Sequence, residues 1–204
     1  MRPFVIVGFG RCGMHFTTTL LTHLGLSCTH EGHFNLHTPT TPIQHSDGSW
    51  LAMPHLDKLP PGTPVVHLMR NPARSIASWL ANVSDPNPYL DFACQHASWN
   101  ESRTDRPRMM ATLWERWTAQ IERKLGPDRK VFLVEDLRRP ETLCALAETL
   151  SGRRFTCDEA KEAQGKMTAS DWNRRKSALP FASAAFATEY IWGKRAAAYG
   201  YYGS

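Results

Sequence analysis

The stretch VIVGFGRCGMHFTTTLL, Val5 to Leu21, passes from an apolar run through three glycines, Gly8, Gly10 and Gly13, into a segment of helical character. A short unbroken apolar run bounded by glycines suits a strand covered on both faces, the kind found in parallel sheets. From Met14 to Leu26, Leu20, Leu21 and Leu24 fall at helical spacing and Gly25 is the stop. A strand, a glycine loop and a helix in that order form an anion site. The first N–H groups of the helix have no partners within it, and the helix dipole favours negative charge there.

The same punctuation recurs along the chain. TPVVHLMR (Thr63–Arg70) reads as a second buried strand, and NPARSIASWLANV follows it, with Asn71 as N-cap and Pro72 as the first helical residue. Between Pro107 and Leu125 the residues Leu113, Trp114, Trp117, Ile121 and Leu125 share one helical face, which makes the two tryptophans core residues. KVFLVEDL (Lys130–Leu137) reads as a third strand, followed by a helix from Pro140 to Leu150 that Gly152 ends. A closing helix runs from Ala182 to Tyr199 and stops at Gly200. Residues 27–62 are rich in Pro, His, Thr and Gly and weakly periodic, the texture of a substrate-facing loop region. Alternating strands and helices with short crossovers predict one α/β domain over residues 1–204, with a central parallel sheet flanked by helices in three layers. Phosphate ligands in such a fold belong at strand C-termini and helix N-termini.

Composition narrows the partners. With 42 % hydrophobic and 21 % charged residues over 204 positions, the chain has enough apolar material for one real core. No signal-peptide pattern and no membrane-span-length apolar run is present. The five cysteines, Cys12, Cys28, Cys94, Cys144 and Cys157, are odd in number and widely spaced, which suits reduced thiols and a cytoplasmic setting. A net charge of +5 without any dense Lys/Arg run fits an anionic small ligand better than nucleic acid. Seven of the nine histidines lie between His15 and His55. His30-Glu31-Gly32-His33 is one residue short of the zinc-protease spacing, so no metal site is expected.

Three ligands compete for the glycine loop. G-x-G-x-x-G followed by Glu31 points to NAD, and hence to an oxidoreductase. Gly8 and Gly13 have the spacing of an ATP loop, but Met14 and His15 replace its lysine and hydroxyl, so no Mg²⁺ ligand is supplied. The third reading takes Arg11 as the informative residue. R-C-G opening a helix binds phosphate by backbone N–H groups, dipole and guanidinium together, with no metal. Arg70 and Ser78 repeat the theme after the second strand, so the chain offers two anion cradles, one for each of two phosphates on a single nucleotide. A non-catalytic nucleotide-binding module with the same loops is the further alternative.

On these residues the chain resembles the sulfotransferases that use 3′-phosphoadenosine 5′-phosphosulfate (PAPS). GFGRCG (Gly8–Gly13) is similar to their 5′-phosphosulfate loop, and RNPARSIAS (Arg70–Ser78) to their 3′-phosphate motif. VEDL (Val134–Leu137) and the tail that ends in Gly200-Tyr201 are similar to two later landmarks. The resemblance spans nearly the whole chain and is strongest to small bacterial-type members, which share HE after the first helix, a DGSW-like stretch and a Trp-rich central helix.

The resemblance implies a P-loop-like α/β fold and sulfuryl transfer from PAPS to a small-molecule or saccharide acceptor, leaving 3′,5′-ADP and needing no metal. Arg11, Cys12 and Gly13 would hold the 5′-phosphosulfate, together with the backbone of Met14, His15 and Phe16. Arg70 and Ser78 would hold the 3′-phosphate, and Arg174, Arg175 or Lys176 would close over it. Glu31 would be the base, with His30 and His33 in reserve, and Arg11 would stabilise the leaving oxygen. His33, Asp47, Ser49 and Trp50 would line the acceptor pocket. Met14 and His15 depart from the family, which has hydroxyls there; Thr17, Thr18 or His15 is left to take over.

Overall fold

The apolar run forms β1, Val5–Gly8, and all four of its residues are buried. The structure, a computed structural model, describes residues 2–37, 42–84, 86–168 and 198–201. Among the described residues four further strands join β1: β2 (Thr29–His30), β3 (Asp47–Gly48), β4 (Val65–Met69) and β5 (Lys130–Leu133). Their order across the sheet is β2-β3-β1-β4-β5, and every neighbouring pair is parallel.

Alternation along the strands sorts side chains into two cores. Phe4, Ile6, Val66 and Leu68 pack on one face with α1 (Met14–His23), α5 (Pro140–Ser151) and α6 (Cys157–Gly165). Val5, Val7 and Met69 pack on the other with α2 (Pro72–Asn82), α3 (Pro88–His96) and α4 (Arg106–Leu125). The sheet is thus the middle of three layers. α4 supplies the heaviest packing: Trp114 and Trp117 are 1 % and 0 % exposed. The Trp117 indole also donates to the Gly8 carbonyl over 3.2 Å, tying α4 to the end of β1.

Local punctuation behaves as its chemistry dictates. The Asn71 side chain caps α2 by accepting from Arg74 N–H, with Pro72 in the first turn. Gly152 ends α5 in the left-handed region at φ 70°.

The structure departs from the sequence-based expectation in three places. Most described residues of 27–62 are loop, as expected, but the stretch also carries regular elements that the sequence does not show. These are β2, β3 and a 3-10 helix, Trp50–Lys58, which Ser49 caps. Two-residue strands are too short to show a period, which is why sequence patterning misses them. The third strand stops at Leu133, and Val134–Arg138 coils into a 3-10 turn that swings Glu135 towards β4. α3 and α6 were not expected; α6 meets the core through Ala160 and Ala163, residues too small to mark an apolar stripe. The closing helix lies outside the described residues up to position 197, as do Arg174, Arg175 and Lys176. Among the described residues, no helix is long and apolar enough to cross a membrane.

Candidate functional site

Each glycine of the opening loop answers to internal packing. A Cβ on Gly8 would lie 2.3 Å from the Leu68 carbonyl oxygen of β4, and one on Gly10 would lie 2.5 Å from the Trp79 ring. Gly13 precedes α1 at φ 94°, a conformation that glycine adopts without strain. The spacing that suggests a dinucleotide fingerprint therefore has a sufficient cause in the sheet, in the seat of Trp79 and in the helix entry. The topology differs from that fold as well. A dinucleotide fold sets its second strand beside its first, whereas here β3 lies between β1 and β2.

The two loops that the sequence reads as anion motifs come together. β1 and β4 pair in parallel with Gly8 opposite Leu68, so both loops leave the same edge of the sheet. Arg70 Nη1 donates to the Arg11 carbonyl over 3.0 Å, and Arg11 Nε donates to Ser78 Oγ over 3.0 Å. Glu135 stands beside Arg70 and partly offsets the burial that lowers the pKa of its guanidinium. The Glu135 carboxylate accepts from Asn71 N–H and from the Tyr201 hydroxyl, both at 3.0 Å. Four segments far apart in sequence thus meet at the C-terminal ends of β1, β4 and β5. Among the described residues no side chain caps the N-terminus of α1, and Met14, His15 and Phe16 of its first turn line the cavity beside this junction.

A cavity of about 210 Å³ opens at the loop. Arg11, His15, His30, Glu31 and Arg70 supply its polar lining, and Trp50, Trp79, Tyr89 and Val83 its apolar wall. Trp50 crosses Trp79 edge-on at 5.4 Å and rests on Trp117 at 5.1 Å, so the wall is braced by the core. Burial raises the Glu31 pKa and the nearby charge of Asp47 adds to this, while a hydrogen bond from the Trp50 side chain and the charge of Arg11 oppose it. Burial lowers the pKa of His30, and neighbouring His15 lowers it further. The His30 and His15 rings meet edge-on at 5.5 Å. His30 Nε2 lies 3.8 Å from Glu31 Oε1, and with the imidazole held neutral this is a dipolar contact more than an ion pair. A raised carboxylate beside a neutral imidazole is a workable proton acceptor.

Backbone strain marks the same two residues. Arg11 at φ 67° and Glu31 at φ 55° are two of the three non-glycine residues with positive φ among those described. The third, Ser98, follows the end of α3. Strained conformations gather at functional sites, and nothing in the sequence reveals them.

Several expected site residues do other work. Asp47 and Ser49 are fully buried and do not line the cavity. The Ser49 hydroxyl donates to the Phe34 carbonyl and accepts from Leu51 N–H. His33 packs edge-on against Phe34 at 4.6 Å, away from the cavity lining. The Cys12 amide already donates to the Phe9 carbonyl, and burial pushes its thiol up to about 12. Cys12 therefore shapes the loop from beneath. Thr17 and Thr18 cannot replace the missing hydroxyls, because both are buried and donate to the Gly13 and His15 carbonyls of their own helix. His15, exposed at the cavity, is the side chain in reach.

A second cavity, of about 320 Å³, flanks the loop and shares Gly13, Phe16 and Arg70 with the first. Arg74, Val134, Glu135 and Arg138 complete its lining. Sequence reasoning missed Arg74 and Arg138, although Arg74 sits inside RNPARSIAS and Arg138 directly follows VEDL. Among the described residues, no three His, Cys, Asp or Glu side chains gather as a metal-binding group. No family model matches the chain, and no curated protein matches it in sequence.

Proposed function

We propose that the chain is a PAPS-dependent sulfotransferase on a P-loop-like form of the α/β fold, acting on a hydroxyl or amine of a small-molecule or saccharide acceptor. The observation that carries this reading is the convergence of the four landmarks through the hydrogen bonds of Arg70 to Arg11, Arg11 to Ser78, and Glu135 to Asn71 and Tyr201. Residues with no local reason to be neighbours meet where an α/β sheet binds phosphates.

The two cavities give this reading its division of labour. The larger, with Arg70, Arg74 and Arg138, suits the anionic nucleotide, since guanidinium groups bind phosphate oxygens in charge-assisted pairs. The smaller, with an aromatic wall and a proton acceptor, suits the acceptor. When bound, PAPS supplies a sulfuryl group whose bond to the 5′-phosphate breaks as the acceptor oxygen or nitrogen attacks. Glu31 takes the acceptor proton, with neutral His30 beside it as the reserve. Arg11 and the first turn of α1 meet the charge that develops on the leaving phosphate oxygen. The Arg11 Nε bond to Ser78 fixes the orientation of the guanidinium at this point.

Arg70→Ala tests the nucleotide half of the assignment. Charged hydrogen bonds contribute about 1.5–3 kcal/mol, so 3′,5′-ADP affinity falls about 10- to 100-fold. Affinity for 5′-AMP falls far less, and by calorimetry the gap between the two ligands isolates the 3′-phosphate from the loop contact that Arg70 also makes. Equal losses for both nucleotides would contradict the 3′-phosphate role.

A further inference from the structure

β3 is only two residues long, and one of them, Asp47, is a carboxylate with 0 % exposure. Such a group persists in the interior only when it is fully hydrogen-bonded. Its Oδ1 accepts from the Thr29 hydroxyl at 2.8 Å and from Gly32 N–H at 3.1 Å. Its Oδ2 accepts from His33 N–H at 3.2 Å and from Phe34 N–H at 2.9 Å. Four donors on one carboxyl is the pattern of its ionised form. The three amides are consecutive and follow directly on Glu31.

The other side of Glu31 is anchored too. Its own N–H donates to the carbonyl of Gly48, the second residue of β3. Glu31 therefore sits between a backbone anchor and a carboxylate clasp, both from β3, and is held at φ 55°. An unclasped loop would relax towards ordinary backbone, because a side chain with a Cβ resists the left-handed region.

We infer that Asp47 is a positioning residue for Glu31: its buried carboxylate clasps the backbone of residues 32–34 and so presents the Glu31 carboxyl to the cavity. The inference rests on the reading of Glu31 as the base. The clasp also sets the electrostatics. Among the described residues, the groups that face Glu31 are Asp47 from β3, Arg11 from the glycine loop, the Trp50 side chain and adjacent His30, which in turn meets His15 of α1. Cys28, on the chain leading into β2, is held protonated by burial and by Asp47, so it adds no charge. Asp47 is the negative neighbour among these, and it makes Glu31 harder to ionise.

The test compares wild type with Asp47→Asn. Asparagine removes the charge and turns an NH₂ group towards two of the four donors, so it opens the clasp. Carbon NMR titration of the Glu31 carboxyl is expected to give a lower midpoint in the variant. The amides of Gly32, His33 and Phe34 lose their protection from hydrogen exchange. Turnover falls about 100-fold, the scale of a misplaced catalytic group. Affinity for 3′,5′-ADP, whose site uses other elements, stays within about twofold of wild type. An unchanged Glu31 midpoint with residues 32–34 still protected would overturn the inference. Should the variant not fold, the wild type decides: slow exchange at His33 and Phe34 is expected, and free exchange there would overturn the clasp. If Glu31 responds as described but wild type does not bind 3′,5′-ADP, the sulfotransferase reading fails and the Asp47 clasp stands.

Discussion

Glu31→Gln lowers turnover by about a hundred- to ten-thousand-fold, the contribution of a positioned general base, and leaves 3′,5′-ADP binding within about twofold of wild type. Glutamine matches glutamate in shape and still accepts from the Trp50 side chain, so the cavity wall is kept while proton transfer is lost. The pH profile gives an independent check. Burial and Asp47 raise the Glu31 pKa, so the acid limb of turnover lies above the ordinary carboxylate range, and activity rises with pH through that limb. Linkage fixes the sign for stability as well. Between the unfolded pKa and the raised folded one, the native state binds more protons, so this group's contribution to stability falls as pH rises through that window. The Gln variant lacks both effects. Turnover at the wild-type level would remove Glu31 from the role and pass it to His30, whose lowered pKa keeps it neutral and able to accept a proton.

Trp117→Ala has the largest effect on the fold. The side chain is 0 % exposed, lies 5.1 Å from the Trp50 ring, and donates to the Gly8 carbonyl at the point where β1 becomes the anion loop. Truncation leaves a large cavity, at a cost of about 3–5 kcal/mol. It also strands a buried carbonyl, which costs about 1–3 kcal/mol more. That is a large part of the roughly 5–15 kcal/mol that holds a typical domain together. Urea unfolding of the variant should show it marginal or unfolded at room temperature. Trp117→Phe keeps most of the volume and loses only the donor, so it falls between the two. Values for both variants within about 1 kcal/mol of wild type would mean that the Trp117–Gly8 bond and the aromatic stack contribute little.

What the sequence makes legible follows from how local each signal is. β1, β4, α2, α4 and α5 announce themselves through an apolar run, an Asn-Pro cap, a stripe of Leu and Trp, or a terminal glycine. β2 and β3 do not, because two residues carry no period and Asp47 brings a charge into the core. An aspartate in a histidine-rich, loop-like stretch reads as an acceptor contact. Only the fold reveals that it turns inward to bind three amides and a hydroxyl. Arg11 and Arg70 are visible by residue type beside strand ends, Ser78 by its place in the helix after the second of them, and Glu31 as a carboxylate after the first helix. Their mutual contact is not visible, since it depends on the register of β1 against β4. Trp79 and Tyr89 belong to no motif and enter the site through the facing of α2 and α3. The left-handed backbone at Arg11 and Glu31 has no sequence signature, yet it singles out the same two residues that the chemistry does.

The identity of the nucleotide is the centre of the account, and calorimetric titration of the wild-type protein with 3′,5′-ADP, NAD and ATP in turn addresses it most directly. The predicted result is saturable binding of 3′,5′-ADP, with neither NAD nor ATP bound at millimolar concentration. Binding of NAD without binding of 3′,5′-ADP would contradict the sulfotransferase reading and return the glycine loop to the dinucleotide role that its spacing first suggests.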